Sequence, residues 1–158
     1  ARPDLLLCDE VTASLDTGVG AAVLELLASL RRELDLSLIF ISHDLGATRS
    51  LCSDVLVLYA GRCVQRGPLA TLGSPSVHPY TRLLMESVPQ MQAGWLDAAR
   101  VAHAVPGAES AGTMLCAFRS RCDVRVAGVC DREAPPLRTA SGGQQLLCHR
   151  DAAGLRAP

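Results

Sequence analysis

Short apolar runs and one long amphipathic stretch alternate along the first third of the chain. Leu5-Leu6-Leu7-Cys8 is continuously apolar and ends in Asp9-Glu10, which predicts a buried parallel strand with carboxylates at its C-terminal edge. From Thr17 to Leu34, apolar residues fall at Val19, Val23, Leu26, Leu27, Leu30 and Leu34. Steps of three and four predict an amphipathic helix, with Arg31 and Arg32 near its end. Ser37-Leu38-Ile39-Phe40-Ile41-Ser42 predicts a second buried strand, ending in His43-Asp44. Asp44 can cap a short helix running to about Cys52. Asp54 to Tyr59 predicts a third strand, and Gly61 turns the chain into a hairpin partner at Cys63 to Arg66. The order β-α-β-α-β-β argues an α/β layered domain with parallel strands, closing on an antiparallel hairpin.

The texture changes near Gly73. Gly73-Ser74-Pro75-Ser76 reads as a loop. His78-Pro79-Tyr80 opens a helix to about Val88, with proline suited to its first turn and Pro89 ending it. Trp95 to His103 predicts another short helix, and beyond Pro106-Gly107 the chain is rich in Gly, Pro and Arg. We place a boundary in the region 73–78, giving segments 1–73 and 74–158; no internal repeat is visible.

Composition narrows the chemistry. The chain has 158 residues, about one domain, and 49% are hydrophobic, enough for a core. Fifteen basic against 16 acidic residues give a net charge of -1, no electrostatic case for nucleic acid or an anionic membrane. Every basic residue is Arg, so this chain holds no Gly-x-x-x-x-Gly-Lys phosphate loop and no catalytic lysine. No apolar run approaches the ~20 residues that span a bilayer, and no secretory signal opens the sequence. A strand begins almost at once after Ala1, so the chain is expected to be cut at the front.

Seven cysteines are distributed unevenly. Cys8, Cys52 and Cys63 are scattered in apolar context and read as packing residues. Cys116, Cys122, Cys130 and Cys148 cluster, which suggests a site. Without a secretory signal they are not read as a disulfide framework.

Asp9 and Glu10 lie at a strand end, where both can face a ligand crevice. Asp9 suits Mg²⁺, and Glu10 suits a general base for water attacking a phosphate. Five residues on come Ser14-Leu15-Asp16, then a helix, then a strand ending in Ser42-His43-Asp44. This set resembles the second half of an ABC-transporter nucleotide-binding domain. Asp9-Glu10 matches its Walker B pair, Ala13-Ser14-Leu15-Asp16 its D-loop, and His43 its switch histidine. Val11 stands where that family usually has Pro, and Ala13-Ser14 where it usually has Ser-Ala. The family's Walker A loop, Q-loop and Leu-Ser-Gly-Gly-Gln signature all precede Walker B, and only eight residues precede Asp9 here. Ser141-Gly142-Gly143-Gln144 spells the signature core but follows Walker B, has Ala140 in place of Leu, and reads as a Gly-rich loop. Alone, this chain is expected to bind ATP weakly and not to hydrolyse it.

Gly67-Pro68-Leu69 through Ser74-Pro75, then His78-Pro79-Tyr80-Thr81-Arg82-Leu83-Leu84, resembles the stretch after the nucleotide-binding core in oligopeptide/dipeptide-type ABC importers. The spacing Cys116-x5-Cys122-x7-Cys130-x17-Cys148 resembles the C-terminal cysteine motif of that family, some members of which bind a [4Fe–4S] cluster. Three readings stand: an iron–sulfur cluster, structural zinc without the usual paired knuckles, or four unliganded thiols. His149 is an alternative ligand or simply exposed. A segment with so few large apolar residues is expected to struggle to fold without a metal.

The resemblance implies the C-terminal half of a P-loop NTPase domain (1–73), followed by a small irregular Cys-rich region (74–158). It implies catalytic roles for Glu10 and His43 and nucleotide-binding roles for Asp9, Ser14 and Asp16, with ATP and Mg²⁺ used by the complete domain. It implies as partners a second ATPase subunit, membrane permease subunits and, indirectly, an extracytoplasmic solute-binding protein, at the cytoplasmic face of the membrane. Two other readings are a metal-binding module and a truncated, non-catalytic remnant.

Overall fold

The computed structural model describes residues 3–88, 114–151 and 153–155. The helix expected over Trp95 to His103 lies outside the described residues. Two compact units divide the chain at Ser53/Asp54. This lies upstream of the 73–78 region where the composition changes. The reason is pairing: the hairpin after Asp54 is joined by a strand from the far C-terminal end.

In the first unit, β1 (Leu5–Asp9) pairs in parallel with β2 (Ser37–Ile41), and α1 (Thr17–Leu34) makes the crossover. Asp16 caps α1 by accepting the Val19 N–H at 2.9 Å. Asp35, in the left-handed conformation, ends it. α2 (Leu45–Leu51) is capped by Asp44, which accepts from Gly46 and Ala47 N–H. Arg31 ties α1 to α2 by donating to the Leu51 carbonyl.

The core here is Cys8, Leu27 and Leu51, with Leu6, Val23, Leu24, Ala28, Leu38, Phe40 and Cys52 packed against it. The strands are therefore not buried on both faces as their sequence predicts. Side chains alternate along a strand, so Leu6, Cys8, Leu38 and Phe40 pack on the helices. Leu5, Leu7, Ile39 and Ile41 fall on the other face and are exposed, Leu7 at 61%. On α1 the inward stripe is narrower than the pattern suggests, and Val19, Leu26 and Leu34 are exposed.

The second unit is built on an antiparallel sheet in the order β3-β4-β6-β5: β3 (Asp54–Tyr59), β4 (Arg62–Pro68), β5 (Leu137–Thr139) and β6 (Gln145–Leu147). Ala60 and Gly61, both at positive φ, make the two-residue turn of the β3–β4 hairpin. α3 (Pro79–Glu86) starts with proline in its first turn, as expected. Among the described residues the parallel pairing stops at β1–β2; β3 pairs with β4 alone.

The C-terminal region is more ordered than its composition suggests. Gln65↔Leu146 and Arg66↔Gln145 register β6 on β4. Leu146, Leu155 and Phe118 are almost wholly buried, so the region has a core of its own. Both tyrosines of the chain and one of its two phenylalanines meet there. Tyr59 lies 4.5 Å from Tyr80 and 5.3 Å from Phe118, centroid to centroid. Such contacts add about 0.5–1.5 kcal/mol each beyond their area. The Arg82 guanidinium grips Asp123 through both carboxylate oxygens, at 2.9 and 2.8 Å, and donates to the Leu155 carbonyl at 3.0 Å. Aromatic packing and strand addition thus supply apolar contacts that the composition of this region did not suggest.

Candidate functional site

The carboxylate and histidine edges meet in the first unit. Asp9 registers against Ile41, so β1 and β2 end side by side. Glu10 N–H adds one more bond, to the Ile41 carbonyl at 2.9 Å. Glu10 then turns into the left-handed region, at φ 48°. A non-glycine residue there costs about 1 kcal/mol or more and marks a position held by its surroundings. His43 Nδ1 lies 3.1 Å from both Glu10 carboxylate oxygens and donates to them. The pair is open to solvent, with side-chain exposures of 77% for His43 and 42% for Glu10.

Asp9 is exposed at the end of β1, and Ser14 is exposed in the tight turn between Glu10 and α1. That turn is closed by Ala13 N–H to the Glu10 carbonyl at 3.1 Å and Leu15 N–H to the Thr12 carbonyl at 3.2 Å. Asp16 ends it as the α1 cap. An aspartate immediately before a helical pattern is the signal for this structural role, alongside the one implied by the D-loop resemblance.

A second cluster forms in the other unit. Cys116, Cys122, Cys130 and Cys148 all line one cavity, together with His78, Phe118, Arg119, His149 and Arg150. All four thiols are free, and Cys130 is buried. Burial raises the Cys116 and Cys148 thiols above the ordinary value, with smaller contributions from neighbouring thiols. Burial pushes Cys122 up to about 12, with Cys148, Asp123 and Cys116 adding to the rise. In kind, the donor set suits a thiophilic group: four sulfurs, one cavity. As the side chains stand, no group of three or more His, Cys, Asp or Glu among the described residues is placed to hold a metal ion. His149 lines the same cavity, and its Nε2 donates to the Glu133 carbonyl at 3.2 Å. Cys8 and Cys52 pack in the core of the first unit.

Three residues gain importance from the structure. His78, at 1% exposure, caps α3 through Nδ1, which accepts the Tyr80 N–H at 3.2 Å. Burial lowers its pKa to about 4. Gln65 and Gln144 are buried and bonded to each other at 2.7 Å. Gln144 also donates to the Thr71 carbonyl and Ser74 hydroxyl. The Ser141-Gly142-Gly143-Gln144 segment therefore has its glutamine turned inward, as part of the framework.

Comparison with known proteins gives a consistent likeness. Residues 64–130 match the family model described as the C-terminal region of oligopeptide/dipeptide transporters. A Brucella abortus protein, provisionally named a peptide import ATP-binding protein, is 40% identical over 148 residues, 94% of this chain and 43% of the relative. The oligopeptide transport ATP-binding protein OppD of Salmonella typhimurium is 36% identical over 152 residues, covering 94% of this chain and 44% of the relative. The dipeptide transport ATP-binding protein DppF of Escherichia coli K12 is 35% identical over 147 residues, covering 92% of this chain and 43% of the relative. The chain thus resembles peptide-type ABC transporter ATP-binding proteins over nearly all its length, and it spans under half of theirs. The matched C-terminal region takes in His78 and three of the four clustered cysteines.

Proposed function

We propose that this chain, which resembles oligopeptide/dipeptide-type ABC transporter ATP-binding proteins, supplies part of the hydrolytic site of an ATPase subunit that powers import of peptides or related small solutes. The observation that carries the reading is the Glu10–His43 pair, 3.1 Å apart at the ends of two registered parallel strands. Glu10 accepts a proton from the attacking water, and His43 orients that water and the terminal phosphate. Asp9 would hold Mg²⁺, which when bound neutralises phosphate charge. Ser14 and Asp16 lie on the connection that would face the nucleotide and a second subunit. The Lys-bearing phosphate loop and the signature belong to the remainder of a longer protein. The apolar face left open on β1–β2 supports this, since parallel sheets are usually covered on both sides.

The partners that follow are a second ATPase subunit, membrane permease subunits and, through them, a solute-binding protein. Among the described residues no helix is long and apolar enough to cross a membrane. A peripheral place at the cytoplasmic face follows from the proposed function. The test is Glu10→Gln in the full-length protein. ATP should be bound and retained while turnover is lost; undiminished turnover refutes the base assignment.

A second reading concerns the four-cysteine cavity, which we propose holds a [4Fe–4S] cluster through Cys116, Cys122, Cys130 and Cys148. Its support is the convergence of four free thiols on one cavity. Arg119 and Arg150 on the same wall would balance the negative charge of four thiolates. Because burial raises three of these thiols, their protons compete with loading, and iron uptake should improve as pH rises. Anaerobic reconstitution should give about four iron and four sulfide per chain, and Cys122→Ser should lower both. Wild-type protein that takes up neither would refute this reading and leave the ATPase reading untouched.

A further inference from the structure

The side chain of His43 is 77% exposed. A side chain so open gains little from packing to offset the entropy of being ordered. Yet its Nδ1 stands 3.1 Å from both Glu10 carboxylate oxygens. What holds it is the backbone, which is anchored on both sides. Upstream, the Ile41 carbonyl accepts the Glu10 N–H at 2.9 Å, just past the last register position of β1 and β2. Downstream, every polar group of Asp44 is engaged. Its carboxylate accepts the Gly46 N–H at 2.7 Å and the Ala47 N–H at 3.2 Å. Its carbonyl accepts the Thr48 N–H at 3.0 Å and the Thr48 hydroxyl at 2.9 Å. Its own N–H donates to Ser42 Oγ at 3.0 Å. Only Ser42 and His43 lie between the two anchors. The Ser42–Asp44 bond joins the residue before His43 to the residue after it. A hydroxyl that accepts the N–H two residues on makes a compact local turn, and the imidazole stands at its centre.

We propose that Ser42 is a positioning residue for the hydrolytic step: its hydroxyl sets the backbone around His43 so that Nδ1 meets the Glu10 carboxylate. Ser42 matters to turnover only insofar as Glu10 and His43 act as proposed above. Without the hydroxyl, Asp44 keeps its carboxylate and carbonyl bonds, so α2 stays capped. The Ser42–His43 backbone then gains freedom to rotate, and the imidazole swings with it. The pair is open to solvent, so water takes the place of the lost contact and Glu10 is no longer oriented. The loss falls on the chemical step, where a misplacement of about 1 Å can cost about a hundredfold in rate. Nucleotide affinity, which the proposed function assigns largely to a phosphate loop outside this chain, is little affected.

The test measures ATP turnover by the full-length protein. Ser42→Thr and Ser42→Val have nearly the same shape, and only the first keeps an acceptor for the Asp44 N–H. Ser42 directly follows β2, where β-branched residues are accepted. The Val variant should lose kcat by roughly ten- to a hundredfold, with KM for ATP changed by less than about threefold. The Thr variant should stay close to wild type. A Val variant as stable as wild type that turns over like the Thr variant overturns the proposal and spares the Glu10–His43 reading. His43→Ala protein with undiminished turnover overturns both, because Ser42 would then have nothing to position. A second measurement does not depend on these variants folding. In the full-length wild-type protein the Asp44 amide should exchange its hydrogen slowly for an exposed residue, and exchange at the rate of an open chain overturns the proposal.

Discussion

Gln65 and Gln144 are 79 positions apart in the chain and share a buried hydrogen bond of 2.7 Å. Gln65 donates through Nε2 and accepts the His78 N–H on its other atom. Gln144 passes the chain on to Thr71 and Ser74. One pair of amides thus joins β4, the loop before α3 and the strand added from the C-terminal end. Replacing Gln144 by Leu leaves the Gln65 amide buried without an acceptor. We expect a loss of roughly 2–4 kcal/mol, read from urea unfolding. Gln65→Leu and the double variant complete a cycle whose coupling should reach about 1 kcal/mol or more. Additive single effects would show that the pair is not a unit.

Gly67 lies where β4 crosses Gln144. Its φ is 147°, and an added Cβ would stand 2.9 Å from Gln144 Cα and 3.3 Å from the Gly143 carbonyl oxygen. Both neighbours are backbone and cannot rotate away. Gly67→Ala should cost about 1–3 kcal/mol and should loosen β6 first. Amide hydrogen exchange at Gln145 to Leu147 reports this, and unchanged protection there would contradict it.

His78 gives the metal-free second unit an acid-sensitive stability. Its folded pKa, about 4, lies below the ordinary 6.5. Between these values the unfolded chain binds the proton and the folded one does not. The stability present above pH 6.5 is therefore lost as pH falls towards 4, by an amount on the order of 3 kcal/mol. Urea midpoints across that range should fall in wild type and flatten in His78→Asn. At alkaline pH Cys122, raised from 9.0 to about 12, works in the opposite sense. Its contribution is complete below pH 9 and declines as pH rises towards 12.

Asp16 combines a structural role with a proposed functional one, and the two can be separated. Asp16→Ala removes the cap on α1 and should cost about 1 kcal/mol. Asp16→Asn keeps a good cap and should leave stability nearly unchanged. If Asp16 also couples two ATP sites, Asn in the full-length protein should reduce turnover at unchanged stability. Full turnover in that variant would leave capping as its role.

Much of this protein was legible in its residues because the governing interactions are local. Apolar runs ending in Asp9-Glu10 and Ser42-His43 mark two strands and the polar residues at their ends. The aspartates before Thr17 and Leu45, the Ala60-Gly61 turn and Pro79 mark where helices and the hairpin begin. Each depends on a backbone preference within a few residues. The likeness to peptide-type ABC ATP-binding proteins was legible for the same reason, since its motifs are short and ordered.

What the sequence could not determine is which side of each element has a neighbour. Leu5 and Leu7 are as apolar as Leu6 and Cys8, yet only the latter meet α1; burial depends on partners, not on hydropathy. The Gly- and Arg-rich tail looked irregular because β6 is three residues long and carries no pattern of its own. It becomes a strand by finding β4. The Glu10–His43 contact, the convergence of four thiols and the inward turn of Gln144 all join residues far apart in the chain. His78 shows the division most plainly. Its place before Pro79 predicted a helix start, while its seat on the cysteine cavity came only from tertiary packing, which alone brings distant residues to one wall.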